Sequence, residues 1–268
     1  MKSTILNSLT FSATLLICSG TGAFAVDLTL LNPPNSGYVE GGVYTSPYNI
    51  SVGGTAMQLI CDDFTTDISI GETWTTAVTT ITTIDASTVA GLKFANSSYN
   101  GSILGGAGDV VQDYAIAAVL AGELLALPDS DNADAGALSF AIWDVFDSTL
   151  LGSSSPGSDP YFALTDAQWN AAFTDLTNAI TLVDSVISGG TGTSNAIGGL
   201  KAGGSVNLNS LSISGLNVYT PTPSAGVAQE FLQVSMPEPS SPTLLAVDLL
   251  AVLSLIGVLR RRLSGMPN

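Results

Sequence analysis

The sequence predicts an α+β fold, in which a block of helices is inserted into an antiparallel β-sheet or sandwich. Three observations predict this class. β-Branched residues punctuated by turn residues dominate positions 26–85, Ala- and Leu-rich segments with helical periodicity follow, and alternating patterns return before Met236. The roughly 210 residues from 26 to 235 are enough for one hydrophobic core.

The first part of this stretch, positions 26–85, is typical of antiparallel strands. Asn49–Val52 and Thr55–Ile60 flank Gly53-Gly54, which predicts a two-residue hairpin. Trp74–Thr83 alternates as a strand does. One face of this strand comprises Trp74, Thr76, Val78 and Thr80.

Helical periodicity appears three times in the middle of the chain. The first predicted helix spans Val110–Leu127, and the second spans Ala133–Thr149. A Gly- and Ser-rich loop follows. The third helix spans Asp166–Ile187, with Thr165 or Asp166 as its N-cap. We expect the apolar stripes of these helices to pack into the core.

Strand patterns return after a Gly-, Ser- and Thr-rich loop at 188–204. The predicted strands are Val206–Ile213, Leu216–Tyr219 and Gln229–Ser235. The order of strands, helices and strands predicts one α+β domain over 26–235.

The charge of the chain argues against two classes of function. It contains 22 acidic and 6 basic residues and no histidine, which gives a formal net charge of −16. Nucleic-acid binding needs Lys and Arg to neutralise phosphates, so we expect no nucleic-acid partner. Without histidine, the chain also lacks the usual general base of catalytic triads and the commonest metal ligand.

The first 25 residues predict a secretory signal peptide. Lys2 supplies the charged start, Leu9–Cys18 is apolar, and Ala23 and Ala25 fit a small-x-small cleavage site. We therefore expect export by the Sec pathway and a mature chain that begins near position 26. That chain keeps one cysteine, Cys61, which cannot form an internal disulfide.

The C-terminal segment 236–263 carries a three-part pattern. A Pro237-Glu238-Pro239 motif precedes an apolar run at 244–259, and Arg260-Arg261-Arg262 follows the run. As a helix the run spans about 24 Å, short of the ~30 Å hydrocarbon core. Because arginines resist translocation, we expect the helix to stop in the inner membrane with its C-terminus in the cytoplasm.

This layout resembles the PEP-CTERM sorting signal of Gram-negative bacteria that secrete exopolysaccharide. In that family an exosortase recognises the Pro-Glu-Pro motif, the short membrane helix and the arginine cluster. The resemblance implies processing by an exosortase and a final place at the cell surface or outside the cell, with exopolysaccharide or other matrix components as candidate partners. Asp248 within the helix costs about 2.5–3.5 kcal/mol on insertion scales, which favours a transient anchor. An ordinary tail anchor is the alternative.

Cys61 is the reactive side chain of note in the exported domain. Its neighbours Asp62 and Asp63 disfavour a thiolate, so we expect a buried and inert thiol. Together with the segment 139–143, Ser-Phe-Ala-Ile-Trp, Cys61 resembles the thioester domains of bacterial adhesins. That family joins a cysteine to the glutamine of a Gln-x-Ala-Ile-Trp helix. Here Ser139 stands at the glutamine position and cannot supply the acyl carbon, and Gln58 is the alternative partner.

Carboxylates are the remaining candidate site residues. Asp129, Asp131 and Asp134 lie between two predicted helices and offer the oxygen ligands that Ca²⁺ prefers. The alternative is an acidic helix N-terminus, where Asp134 is favourable near the dipole. A second acidic cluster comprises Asp62, Asp63 and Asp67. Paired carboxylates also hydrolyse glycosides, so a secreted hydrolase is the weakest hypothesis.

Taken together, these patterns favour an exported protein without enzymatic activity. Its expected role is structural or interactive, at the cell surface or in the extracellular matrix. An adhesin-like binding module related to thioester domains is the alternative. Ca²⁺ is the only cofactor that the sequence suggests.

Overall fold

A computed structural model of the protein describes residues 24–32, 39–40, 43–95, 110–128, 132–147, 150–151, 164–189, 204–223 and 228–236. The predicted α+β class and the antiparallel sheet are confirmed. The strands are β1 Phe24–Asn32, β2 Val39–Glu40, β3 Val43–Tyr44, β4 Tyr48–Val52, β5 Thr55–Cys61, β6 Thr73–Ile81, β7 Thr83–Asp85, β8 Ser205–Asn207, β9 Gly215–Pro221 and β10 Phe231–Ser235. The α-helices are α1 Ala86–Val89, α2 Val110–Ala126, α3 Asn132–Phe146 and α4 Asp166–Val186.

The main sheet is a closed barrel with the strand order β1-β4-β5-β10-β9-β6, so the expected sandwich is wrong. Closure depends on β6, which pairs with β1 on one side and with β9 on the other. Both pairings are antiparallel, with Leu28 opposite Trp74 and Val78 opposite Tyr219. Every strand of the ring has two neighbours, although β5 and β10 pair only at Cys61 with Phe231 and at Ile60 with Leu232.

The two ends of the barrel differ in what they carry. At one end, the hairpin end, the Gly53-Gly54 turn joins β4 to β5. Since the strands are antiparallel, β1 begins and β10 ends at this hairpin end. The opposite end, the cavity end, holds the ends of β1 and β5 and the beginnings of β4, β6 and β10.

The predicted hairpin is confirmed, and its glycines explain it. Gly53 and Gly54 have φ angles of 56° and 91°, and Val52 pairs directly with Thr55. Two consecutive positive φ angles are typical of a type I′ turn, whose twist matches that of the flanking strands.

Two hydrophobic cores share the barrel wall. The core inside the barrel includes Leu28, Ile50, Leu59, Cys61, Trp74 and Phe231. The core outside the barrel is formed with the helices, and Ile60, Leu216, Val218, Leu232 and Val234 contribute to it. Consecutive strand residues point to opposite faces. Ile60 and Cys61 therefore serve different cores although both are fully buried.

The three predicted long helices are confirmed, with shifted ends. α4 begins after Thr165, whose hydroxyl accepts from the N–H of Gln168 while Gln168 reaches back to the Thr165 N–H. This is a capping box. α3 ends at Phe146 rather than at Thr149. The Asp144 carboxylate accepts from the N–H of Leu151 at 2.6 Å, which holds the chain where it turns away.

The predicted strand Val206–Ile213 is mostly wrong. It contains only the end of β8, and a 3₁₀ turn at Leu208–Leu211 follows. The Asn207 side chain accepts from the N–H of Asn209, and Ser212 has a left-handed φ of 57°. These local hydrogen bonds offer the backbone an alternative to the strand that its alternating pattern suggests.

The processing signals lie largely outside the described residues. Among the helices that the structure describes, none has the length and apolar character to cross a membrane. The predicted helix at 244–259, the sorting motif and positions 1–23 are not among those residues. Ala25 is, and in the uncleaved chain it pairs with Ala77 as part of β1.

Candidate functional site

Cys61 and Ser139, the two positions that resemble a thioester pair, lie in one chain of hydrogen bonds at the cavity end. Ser46 donates its backbone N–H to the Ser139 hydroxyl at 3.0 Å, and the Ser46 hydroxyl accepts from the Cys61 N–H at 2.9 Å. Trp143, one turn further along α3, donates its indole N–H to the Cys61 carbonyl at 3.0 Å. The strand and the helix are therefore joined through Ser46 and Trp143.

The environment of Cys61 suppresses its reactivity. The side chain is fully buried, and its Sγ donates to the Asp63 carbonyl at 3.2 Å. Burial raises the pKa of this thiol well above its ordinary value, and electrostatic interaction with the nearby carboxylate of Asp63 raises it further. Since the thiolate is the nucleophile, the thiol of Cys61 is inert in the folded protein.

Neither candidate partner offers Cys61 an acyl group. The Ser139 hydroxyl is engaged, because it donates to the Ala135 carbonyl at 2.8 Å in addition to accepting from Ser46. Gln58 is exposed on β5, three residues before Cys61. An odd spacing along a strand puts two side chains on opposite faces, so Gln58 cannot reach the thiol.

A fully buried carboxylate, Glu230, lies just before β10. It accepts hydrogen bonds from the Tyr114 hydroxyl at 2.5 Å, the Thr220 hydroxyl at 2.5 Å and the Lys93 backbone N–H at 3.0 Å. Three donors stabilise a charged carboxylate. Glu230 is therefore the better placed of the buried carboxyls to carry a negative charge.

Asp62 is a second buried carboxyl group beside Glu230. Within the described part of the chain no donor reaches either of its carboxyl oxygens, and the residue is buried. Burial raises the pKa of Asp62 well above its ordinary value, and the charge of Glu230 raises it further. Burial also raises the pKa of Glu230. The environment therefore favours the protonated form of Asp62, whereas the three donors around Glu230 favour the charged form of that carboxyl group.

Lys93, in the short 3₁₀ turn after α1, ties three separate segments together. Its ammonium forms a salt bridge with Asp63 and donates to the Thr66 hydroxyl at 3.0 Å and the Ala228 carbonyl at 3.1 Å. Gln229 extends this clamp, because its amide N–H groups donate to the carbonyls of Asp63, at 3.1 Å, and Thr66. These contacts fasten the segment after β5 to the segment before β10.

A half-open cavity of about 450 Å³ lies above this clamp at the cavity end of the barrel. Four aromatic residues form much of its wall, namely Tyr44, Tyr48, Phe64 and Trp143. The rings of Phe64 and Trp143 are 5.1 Å apart. The polar lining residues are Asp63, Asp67 and Gln229, and the rest of the wall is aliphatic. Ligand sites commonly have roughly 300–1,000 Å³ and mostly apolar walls with a few polar groups.

Of the two predicted acidic clusters, the one at Asp62, Asp63 and Asp67 does not converge in the structure. Asp62 is buried next to Glu230, and Asp63 is buried in a salt bridge with Lys93. Asp67 is exposed. Across the described ranges no group of three or more Cys, Asp or Glu residues is placed to hold a metal ion. Asp134 is exposed in the first turn of α3, and Asp129 and Asp131 fall outside those ranges. Their proposed Ca²⁺ site remains a prediction.

Several residues at the cavity end were missed by sequence reasoning. Tyr114, Glu230 and Gln229 lie in unremarkable segments, and Lys93 and Glu230 are 137 residues apart. The one available signal was Lys93 itself, since it is one of only two basic residues between Val26 and Met236 and each of these is more informative than any of the acids.

Comparison of the chain with protein-family models, with curated proteins and with solved structures gave no match. Function is therefore argued from the residues at the cavity end and from the signals at the two ends of the chain.

Proposed function

We propose that this chain is an exported, exosortase-sorted protein that acts without catalysis, as an interaction module at the cell surface or in the extracellular matrix. The cavity at the end of the barrel is its interaction site. Its candidate partners are exopolysaccharide or other components of the matrix. The observation that carries the proposal is the cavity itself, an aromatic-walled recess next to a thiol and a carboxyl pair that are sealed from solvent.

The burial of the reactive groups supports an interaction role over hydrolysis. Asp62 and Glu230 are fully buried, so a polysaccharide cannot reach this carboxyl pair. The Cys61 thiol is equally closed off. A glycoside hydrolase instead places its two carboxyl groups on either side of the bond that it cleaves.

A second candidate is an adhesin-like module related to thioester domains. The hydrogen-bonded chain through Cys61, Ser46 and Ser139 favours it, because it brings together the two positions that the resemblance pairs. Intact mass under denaturing conditions tests this candidate. A domain lighter by one ammonia that gains methylamine would show a thioester, and an unchanged mass would exclude one.

The sorting part of the proposal rests on the C-terminal pattern. Proline on both sides of Glu238 disfavours helix there, which keeps the motif extended as a protease substrate must be. Recognition then needs the motif, whereas retention in the membrane needs only the apolar run and the arginines Arg260, Arg261 and Arg262.

Changing Pro237, Glu238 and Pro239 to Ala should leave export intact and trap the full-length protein in the inner membrane. Deleting Leu244–Asn268 should release the domain without any exosortase. Fractionation followed by immunoblotting measures both outcomes. Triple-Ala protein found outside the cell and shortened at its C-terminus would mean that a tail anchor is shed by another protease.

A further inference from the structure

The cavity at the barrel end offers mostly hydrogen-bond acceptors to a ligand. The Tyr48 hydroxyl donates to the Tyr44 carbonyl at 2.7 Å, and the Trp143 indole donates to the Cys61 carbonyl. The amide N–H groups of Gln229 also go to backbone carbonyls. These side-chain donors are therefore already used within the protein. The only other donor among the side chains that line the cavity is the hydroxyl of half-exposed Tyr44.

Two acceptors are left over. Gln229 is more than nine-tenths buried, and its side-chain oxygen has no hydrogen-bond partner in the described part of the protein. That oxygen is itself closed off from solvent, so Gln229 contributes polarity to the cavity wall rather than a contact for a ligand. Asp67 is exposed on the cavity wall, and no described residue donates to its carboxylate.

The charge of the cavity is negative. Asp63 is compensated by Lys93, which is the only cationic side chain that the described residues contain. The carboxylate of Asp67 has no such partner among them. A cleft lined by charge of one sign concentrates counter-ions, and aromatic faces add attraction for cations. An anionic ligand would meet repulsion here.

We propose that this cavity binds a small quaternary ammonium compound. This inference rests on the proposed role of the cavity as an interaction site. The methyl groups around the cation pack against the aromatic wall, and the carboxylate of Asp67 compensates its charge. A primary ammonium fits less well, because it is more strongly hydrated and loses more of that hydration against a mostly apolar wall.

The test compares choline with its neutral isostere, 3,3-dimethylbutan-1-ol, by calorimetric titration of the full chain in a non-ionic detergent. The two compounds have the same shape and hydroxyl and differ in charge. We expect choline to bind at least tenfold more tightly, with a change in the fluorescence of Trp143. Phosphocholine, which represents a lipid headgroup, should bind more weakly than choline because its phosphate brings further negative charge into a cavity that is already negative.

Two variants locate the site. Asp67→Asn should weaken choline binding about tenfold and leave binding of the isostere unchanged, whereas Asp166→Asn removes an equal charge from exposed α4 and should change neither. Tyr44→Leu should weaken choline binding several-fold, and Tyr44→Phe, which keeps the ring, should not. Tyr44 is half exposed and Asp67 is exposed, so these changes spare the core.

The outcomes separate the two proposals. Equal binding of choline and the isostere, or tighter binding of phosphocholine, would overturn the cationic ligand and leave the cavity as an interaction site. No binding of any of the three compounds would also overturn this inference, and the sorting experiment would still decide the proposed export. Choline binding that is unaffected by both Asp67→Asn and Tyr44→Leu would place the site elsewhere.

Discussion

Asp62 and Asp63 are neighbours with almost no solvent exposure, yet they meet opposite partners. Asp63 faces the ammonium of Lys93, and Asp62 faces another carboxyl group, that of Glu230. A buried ion pair and a buried shared proton are both ways to avoid an isolated charge in a low-dielectric interior. At the scale of single residues, the cavity end is therefore held together by protonation states as much as by packing.

This arrangement predicts that the protein is more stable in mild acid. Burial raises the pKa values of Asp62 and Glu230 in the folded state. Above about pH 4 both groups ionise in the unfolded chain, while the folded pair keeps a proton. The free energy of unfolding should therefore fall as pH rises from about 5 to 8, by about 1.4 kcal/mol for each unit of raised pKa that lies within this window.

Asp62→Asn isolates this effect, because the amide has nearly the same shape as the carboxyl group but has no proton to lose. Urea unfolding at several pH values should show a shallower pH dependence and greater stability than the parent at pH 8. Asp67→Asn, an exposed position in the same segment, should keep the parental slope. Parallel curves for Asp62→Asn and the parent would show that Asp62 is not the shared-proton site.

At the scale of elements, the Gly53-Gly54 hairpin is the feature most open to a backbone test. Any residue at position 53 must adopt a φ of +56°, which side-chain-bearing residues disfavour. A Cβ added there would also lie 3.2 Å from Cγ2 of Val26. We expect Gly53→Ala to lower the free energy of unfolding by about 1–2 kcal/mol. The same measurement on Gly91→Ala is the matched control. Position 91 has no positive φ and open space around it, so this change should be neutral or stabilise by about 0.4–1 kcal/mol. Equal losses for both variants would mean that turn geometry is not the cause.

Elements whose signal is local were predictable, and pairings between distant elements were not. The glycine pair and the helical periodicities carried enough information for the β4–β5 hairpin and for α2, α3 and α4. Barrel closure depends on β6 meeting both β1 and β9, and alternation along a strand does not specify its partner. For the same reason only a resemblance to a known family could pair Cys61 with Ser139. The contacts of Asp62 and Lys93 with Glu230 could not be predicted from the sequence.

At the scale of the whole molecule, acidity dominates. Twenty acidic residues and two lysines lie between Val26 and Met236, so self-repulsion should weaken the compact state at low ionic strength. We predict that millimolar Ca²⁺ raises the melting temperature more than Na⁺ at matched ionic strength, because a cation bound to the folded form stabilises it by mass action. Replacing Asp129, Asp131 and Asp134 by Asn should remove the extra shift. Equal shifts from both salts would reduce the effect to screening.

The direction of the strands also sets how the domain would face a membrane. β1 starts and β10 stops at the hairpin end, so the chain enters and leaves the domain there, within a few residues of both proposed processing points. The cavity opens at the opposite end. Under the proposed sorting, a domain still tethered through its C-terminus would present the cavity outward, away from the lipid. The domain would then bind its ligand before the C-terminal tether is cleaved. Cleavage would allow the complex of domain and ligand to leave the membrane, but the complex would form with or without it.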